Sequence, residues 1–291
     1  MKYRLIVLLL VFSGFLFIAG TKPSVTDTDA MVLIRGGNYI RGLDSVQLNN
    51  LVNRFGKPAS YFSQDRMNFR MTVAPFYIDK YEVTNKQFKK FIDANAQWSK
   101  SGIPDSLQNG DYLKDWKNDN YPKGKGNYPV VYVSWYAAFA YTRWLGKRLP
   151  MEAEWECAAK EISGSSVFSW GNPEAYPTNL DLTEKLSQPE PVGKHRANSL
   201  GIFDLYGNVS EFCLDRWRQN DYAPQPTIPK HPLRDFGYEP FNKNKVAVRG
   251  GNFTSDPVDL RVTRRIGVNI IDCEPTIGFR CALSYHSKSQ Q

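Results

Sequence analysis

Lys147-Arg148-Leu149-Pro150-Met151-Glu152-Ala153-Glu154-Trp155-Glu156-Cys157-Ala158-Ala159 is the stretch on which the fold turns. Proline belongs in the first turn of a helix, so Pro150 marks an entry, and Trp155, Ala158 and Ala159 then recur at i, i+3 and i+4 on one face. Glu152, Glu154 and Glu156 stand early enough to favour the positive end of the helix dipole. A helix is expected just before it: Ser134 suits the N-cap, and Trp135, Ala138, Phe139, Thr142 and Leu145 follow at helical spacing. Gly146 supplies the left-handed residue that ends it. Further upstream, Met31 to Ile40 predicts a strand, a glycine turn and a return strand, which together make a hairpin. Phe76 to Val83 predicts another strand, and Thr84 with Gln87 forms a capping box for a helix whose Phe88, Phe91 and Ile92 share a face. Between Asn95 and Tyr128 the chain is rich in Asp, Asn, Gly, Lys and Ser and is expected to be a long surface excursion. From Phe168 to Leu283, glycine, aspartate and asparagine turns alternate with short aromatic or branched segments. The sum is an α+β fold in one domain, with much irregular structure and no internal repeat.

The chain has 291 residues, enough for a sizeable core without metals or staples. Apolar residues at 42%, charged at 23% and aromatic at 14% describe a globular protein and exclude wholesale disorder. The 37 basic against 29 acidic residues give a net charge of +8. The basic residues are scattered, so the balance predicts a solubilising surface and no nucleic-acid partner, which needs clustered charge.

Residues 1–20 carry Lys2 and Arg4 and then an apolar run of about 15 residues interrupted by Ser13-Gly14, short of the ~20 of a bilayer-spanning helix. This predicts a secretory signal and an exported protein, periplasmic, envelope-bound or secreted. Membrane attachment would come only through this segment if uncleaved. Residues 21–30 form a linker, 31–285 the domain and 286–291 a tail. Four cysteines, Cys157, Cys213, Cys273 and Cys281, permit up to two disulfides in an oxidising compartment, or sit as small buried thiols. Trp135, Trp144, Trp155 and Trp170 are expected in the core. Trp98, Trp116 and Tyr121 in the excursion are candidate anchors for a protein partner or a sugar ring.

Several segments occur together in a familiar order: Arg35-Gly36-Gly37, Phe76 to Asn85, Pro129 to Trp135, Lys147 to Glu156, Gly207-Asn208-Val209-Ser210-Glu211, Arg249 to Phe253 and Ile277 to Arg280. In this order they resemble the formylglycine-generating enzyme, or sulfatase-modifying factor, family over about residues 31–285. The resemblance implies a C-type-lectin-like α+β domain. Its oxidases convert a sulfatase cysteine to formylglycine with copper and dioxygen, using two thiolates shortly after the glycine pair that here is Gly250-Gly251. Those places hold Ser255 and Leu260, and no cysteine lies between Gly251 and Asp272. Soft sulfur selects Cu(I), whereas hydroxyl and carboxylate oxygens do not, so no copper is expected. The iron-dependent sulfoxide synthases of the same fold use a histidine-rich motif, and His195, His231 and His286 do not form one.

The resemblance also implies a structural Ca²⁺ held by Asp204, the carbonyls of Gly207 and Val209, and Glu211, which suits a hard cation taking six to eight oxygens. Alternatively, Asp204 and Glu211 cap turn amides. A second family loop would begin near Asn179 and Leu180. The family's disulfide points to Cys157 with Cys281, leaving Cys213 with Cys273, and reduced thiols are the alternative. Ser255, Asp256 and Arg261 are the candidates for lining a ligand groove. The expected function is that of a non-oxidising protein of this fold, acting in protein interaction or envelope assembly. Non-catalytic relatives serve in gliding motility and type IX secretion as lipoproteins, although no acceptor cysteine follows the apolar run here. The alternative is an oxidase with an altered or partner-completed site.

Overall fold

The computed structural model describes residues 30–65, 68–160, 167–168, 186–217 and 245–285. Strands β1 (Met31–Ile34) and β2 (Gly37–Arg41) flank the first glycine pair, yet they belong to different sheets. β2 runs antiparallel to β3 (Phe69–Val73), and β1 runs antiparallel to β4 (Phe76–Asp79). The expected hairpin is therefore corrected: the glycines hand the chain from one sheet to the next. At Gly36, φ is +70° and an added Cβ would lie 2.3 Å from the Val73 carbonyl oxygen, so a side chain has neither the dihedral nor the room.

The four-stranded sheet runs β7 (Arg265–Asn269), β6 (Lys245–Arg249), β5 (Ser210–Arg216) and β8 (Ile277–Gly278), with only β5 and β8 parallel. A short β9 (Ala282–Ser284) returns the chain to β4. Helix α1 (Ser45–Phe55), not anticipated, has an Asp44–Gln47 capping box and a left-handed Gly56 at its end. Helix α2 (Asn85–Ala94) has the expected Thr84–Gln87 box and buries Phe88, Phe91 and Ile92. In α3 (Trp135–Trp144) the Ser134 side chain accepts from the Ala137 N–H.

Residues 95–128 are not a surface excursion. Ile103, Tyr112, Leu113 and Trp116 are buried in the largest apolar cluster, with the Tyr112 hydroxyl donating to the Trp98 carbonyl at 2.9 Å. The Trp116 ring meets Phe88 edge-on at 6.4 Å, while Trp98 and Tyr121 pack against the same cluster. Turn-rich composition hid this because each apolar residue is isolated in the sequence and finds neighbours only through the fold. Trp116 is thus core, not a partner anchor.

Helix α4 (Glu152–Ala159) touches β2, β3, β5 and β6, and all its residues are buried. Its glutamates do more than face a dipole. Glu152 accepts from Arg265 at 2.5 and 2.7 Å and pairs with Arg41 at 3.1 Å. Glu156 pairs with Arg249, with Lys160 at 3.1 Å, and accepts the Gly42 N–H at 2.8 Å. Glu154 receives the Arg148 fork at 2.6 Å on both oxygens. Charges buried this deeply persist only when paired.

Neither expected disulfide is present: all four cysteines are buried free thiols. Cys157 and Cys213 lie in one apolar cluster, Cys273 and Cys281 in another, so both proposed pairs straddle two clusters. Burial pushes the Cys157 and Cys273 thiols up to about 12, which keeps them unreactive.

Candidate functional site: a glycine-pair cleft and a buried acidic loop

Strand β6 ends at Arg249, and Gly250 and Gly251 follow with φ of +95° and +70°. The sharp turn opens a small cleft, continuous with solvent, lined by Ser210, Arg249, Asn252, Ser255 and Arg264 around the glycine pair. Ser255 is held by a tight loop, its Oγ accepting the Asn252 N–H at 3.0 Å and its own N–H donating to the Asn252 carbonyl at 2.9 Å. The Asn252 amide in turn donates to Ser210 Oγ at 3.1 Å.

Leu260 ends a 3-10 turn, Pro257–Leu260, and is buried. A Cβ placed on Gly251 would meet Leu260 Cδ2 at 2.8 Å and Ser255 Oγ at 3.3 Å. The two positions singled out in the sequence therefore close on one point above Gly251. The sequence spacing alone said they were near that turn; the 3-10 turn is what folds them together.

The other groove candidates part company. Asp256 stands at the N-cap of the 3-10 turn, outside the cleft lining. Arg261 is buried: it donates to Asp65 at 2.7 Å and to the Val258 carbonyl at 2.7 Å, and its guanidinium lies 4.9 Å from the Phe62 ring. The cleft's outer cation is instead Arg264, whose Nη1 donates to Asp259 at 2.5 Å. The missed signal was the Arg264-Arg265 pair. Neighbouring residues at a strand face opposite ways, so Arg265 turns in to Glu152 while Arg264, 28% exposed, turns out.

Arg249 reaches the cleft from the end of β6, but its guanidinium is fully buried on the α4 side of the sheet, the side that its cross-strand partner Arg265 also faces. Its Nη1 donates to the carbonyls of Thr263 and Arg264 at 3.1 and 3.0 Å, and its Nη2 donates to the Val262 carbonyl at 2.9 Å and to Glu156. Its Nε is buried with no acceptor.

A second polar region underlies the turn before β5. Asp204, Gly207 and Asn208 all have left-handed backbones, with φ of +57°, +79° and +45°. Asp204 Oδ2 accepts the Gly193 N–H at 2.6 Å, while Oδ1 is buried and without a partner. Glu211 takes the Arg280 fork at 2.7 Å on each oxygen, and its Oε2 also accepts from Trp155 Nε1 at 2.9 Å. Glu82, overlooked in the sequence, accepts from the Asn208 amide at 2.8 Å and the Val209 N–H at 3.3 Å. Burial, reinforced by the charges of Asp204 and Glu211, pushes the Glu82 carboxyl well up. Burial likewise raises Asp204.

Three buried carboxylates thus crowd the Arg280 guanidinium, and one oxygen faces no donor. That combination fits a hard cation, since it offers unsatisfied negative charge in a low dielectric. Among the described residues no group of three or more His, Cys, Asp or Glu side chains converges as a cage. Backbone carbonyls therefore have to complete any such site, as the Gly207 and Val209 assignment requires.

Asn179, Leu180, Trp170, His231, His286 and the N-terminal apolar run lie outside the described residues. Among the described residues no helix is long and apolar enough to cross a membrane. His195 is half-buried, 3.4 Å from Glu190.

The chain is 31% identical over 272 residues to the serine/threonine-protein kinase Pkn1 of Chlamydia trachomatis serovar L2; the match covers 90% of this chain but only 39% of that protein. It is 28% identical over 253 residues to the formylglycine-generating enzyme of Streptomyces coelicolor, covering 72% of this chain and 78% of the relative. The solved structure of PvdO from Pseudomonas aeruginosa superposes with a TM-score of 0.61 at 22% identity, covering 88% of this chain and 94% of PvdO, which shows the shared fold. The family profile described as the sulfatase-modifying factor enzyme 1-like domain matches residues 19–285, a range that contains both the glycine-pair cleft and the acidic loop, and the chain belongs to that family.

Proposed function

We propose that the chain is an exported, non-oxidising member of this family that acts in protein interaction or envelope assembly. The observation that carries this is the pairing above Gly251: a hydroxyl, Ser255, and an isobutyl group, Leu260, occupy the two places that the family resemblance assigns to copper thiolates. Neither holds Cu(I), and the chain's own thiols are buried in apolar clusters with their protons held on. No kinase activity is carried over from the chlamydial relative, because the aligned stretch is 39% of that protein.

The test is direct. The purified chain is incubated with Cu(I), dioxygen and a Cys-x-Pro-x-Arg peptide, and the peptide is weighed by mass spectrometry. An unchanged thiol mass is expected. Conversion to the aldehyde establishes the competing reading, an oxidase with an altered site, which family membership favours.

The acidic loop, on the same proposal, binds a structural Ca²⁺ through Asp204, the Gly207 and Val209 carbonyls and Glu211. Such an ion supplies positive charge that fixes the left-handed turn before β5 and does no chemistry. Chelation with EGTA should lower the thermal midpoint and added Ca²⁺ should restore it, with Asp204→Asn insensitive to both. A midpoint indifferent to EGTA removes the ion from the proposal.

A further inference from the structure

We propose that the outer face of the β1–β4–β9 sheet is a lipid-contact surface, which lies on the bilayer that holds the chain's N-terminal apolar run. This rests on the exported reading and requires residues 1–20 to stay on the chain. Strand register sets Leu33, Tyr77 and Leu283 side by side in one row across the three strands. Their neighbours Ile34, Phe76, Ile78 and Ala282 point the other way, into the core. Leu33 is 39% exposed, and Tyr285, just beyond β9, is 41% exposed with its ring 6.0 Å from that of Tyr77. Among the described residues only Leu33, Val46, Leu186 and Tyr285 are large apolar side chains left exposed, so two of the four border this single row. A sheet face turned to water alone would carry polar residues there.

The chain itself selects the occupant. Residues 20–30 are all that separate the apolar run, which ends at Ala19, from the start of β1 at Met31. A stretch of that length reaches at most about 40 Å when fully extended and roughly 18 Å as a coil, so a run seated in a bilayer keeps β1 beside it. The run, at about 15 residues, is short of the ~20 of a spanning helix, and a weak membrane anchor becomes stable when a second contact adds to the first. Tyr77 and Tyr285 carry amphipathic rings of the kind that settle at the headgroup level. Asp79, two residues from Tyr77 and so on the same face, is neutralised by Lys147 at 2.8 Å. Arg35, exposed directly after β1, adds a cation toward anionic headgroups.

All four native thiols are buried, so a cysteine placed on the surface takes a fluorescent label alone. The full chain is prepared as Leu33→Cys, as Tyr285→Cys and, for a control on α1, as Val46→Cys, which replaces a side chain 68% exposed. Each variant carries nitrobenzoxadiazole and is mixed with vesicles of phosphatidylcholine and phosphatidylglycerol in equal parts. The Leu33→Cys and Tyr285→Cys labels should shift to the blue and be quenched by lipid bearing a shallow doxyl group, while the Val46→Cys label keeps its emission. Without any label, Leu33→Asp should lower the fraction of chain that sediments with the vesicles, and Val46→Asp should leave it unchanged.

Equal quenching of all three labels, or sedimentation without quenching at Leu33→Cys and Tyr285→Cys, overturns the lipid face while leaving membrane attachment in place. A blue shift before vesicles are added overturns it too, and assigns the face to the chain's own apolar run or to a second copy. A chain whose intact mass lacks residues 1–20 and that stays in the supernatant removes the anchor and the proposal together. The copper and peptide assay judges the non-oxidising reading independently of all these outcomes.

Discussion

Glu156 shows what a single residue does in this protein. Its carboxylate is buried, and burial alone pushes its pKa up, yet Lys160, Arg249 and Arg41 together hold it at about 2. It also accepts the Gly42 N–H at 2.8 Å, so one side chain fastens α4 to the end of β2 and to the end of β6. Neutralising it strands buried cations from three elements. Glu156→Gln is expected to destabilise the fold by about 3–5 kcal/mol, the usual cost of breaking a buried pair from one side. Asp111→Asn, which breaks the exposed Lys114–Asp111 pair, should cost no more than about 1 kcal/mol. Urea denaturation midpoints compare the two, and similar losses would contradict the hub role of Glu156.

The elements differ in how much the sequence betrays them. The α2 and α3 N-caps are local chemistry, a side chain bonding a backbone three residues on, and Thr84, Gln87 and Ser134 are accordingly legible one by one. α1 carried the same capping signal in Asp44 and Gln47 and was readable on the same grounds. Strand partnership is not local: Met31 to Ile40 has a hairpin's pattern, and only the close approach of Val73 to Gly36 shows that the two strands part. The same holds at the cleft, where the glycine pair and Ser255 were legible but the choice of Arg264 over Arg261 depended on a 3-10 turn aiming Arg261 at Asp65. Residues 95–128 are the sharpest case. Their polar composition is that of a loop, yet Trp116 is only 4% exposed and sits against Phe88 and Tyr121. Trp116→Ala should therefore cost about 3–5 kcal/mol, the range for emptying a core aromatic site. A surface loop would lose only a few tenths, and chemical denaturation distinguishes the two outcomes.

For the whole molecule, the buried acids set how stability follows pH. Asp215 is raised to about 6, first by burial and then by the charge of Glu152, whose N–H its Oδ2 accepts at 2.6 Å. Because an unfolded aspartate titrates near 3.9, the folded chain binds the Asp215 proton more tightly, and stability grows as pH falls from about 7 toward 4. A shift of this size corresponds to roughly 3 kcal/mol. Burial raises Asp65 too, so it acts in the same direction. Glu152 and Glu156 act oppositely: their pKa values are lowered, so their contribution is full above about 4.5 and is lost as pH falls toward 2. The two trends oppose each other, so stability is expected to rise as pH falls below neutrality and to be lost again in stronger acid. Asp215→Asn keeps an oxygen for the Glu152 N–H but removes the titration. It should be more stable than the parent at pH 7, with a shallower rise on acidification, as read from urea midpoints between pH 2 and 8. A parent curve that falls from pH 7 to 5, or a rise unaltered by Asp215→Asn, would show that these acids do not govern the molecule's pH response.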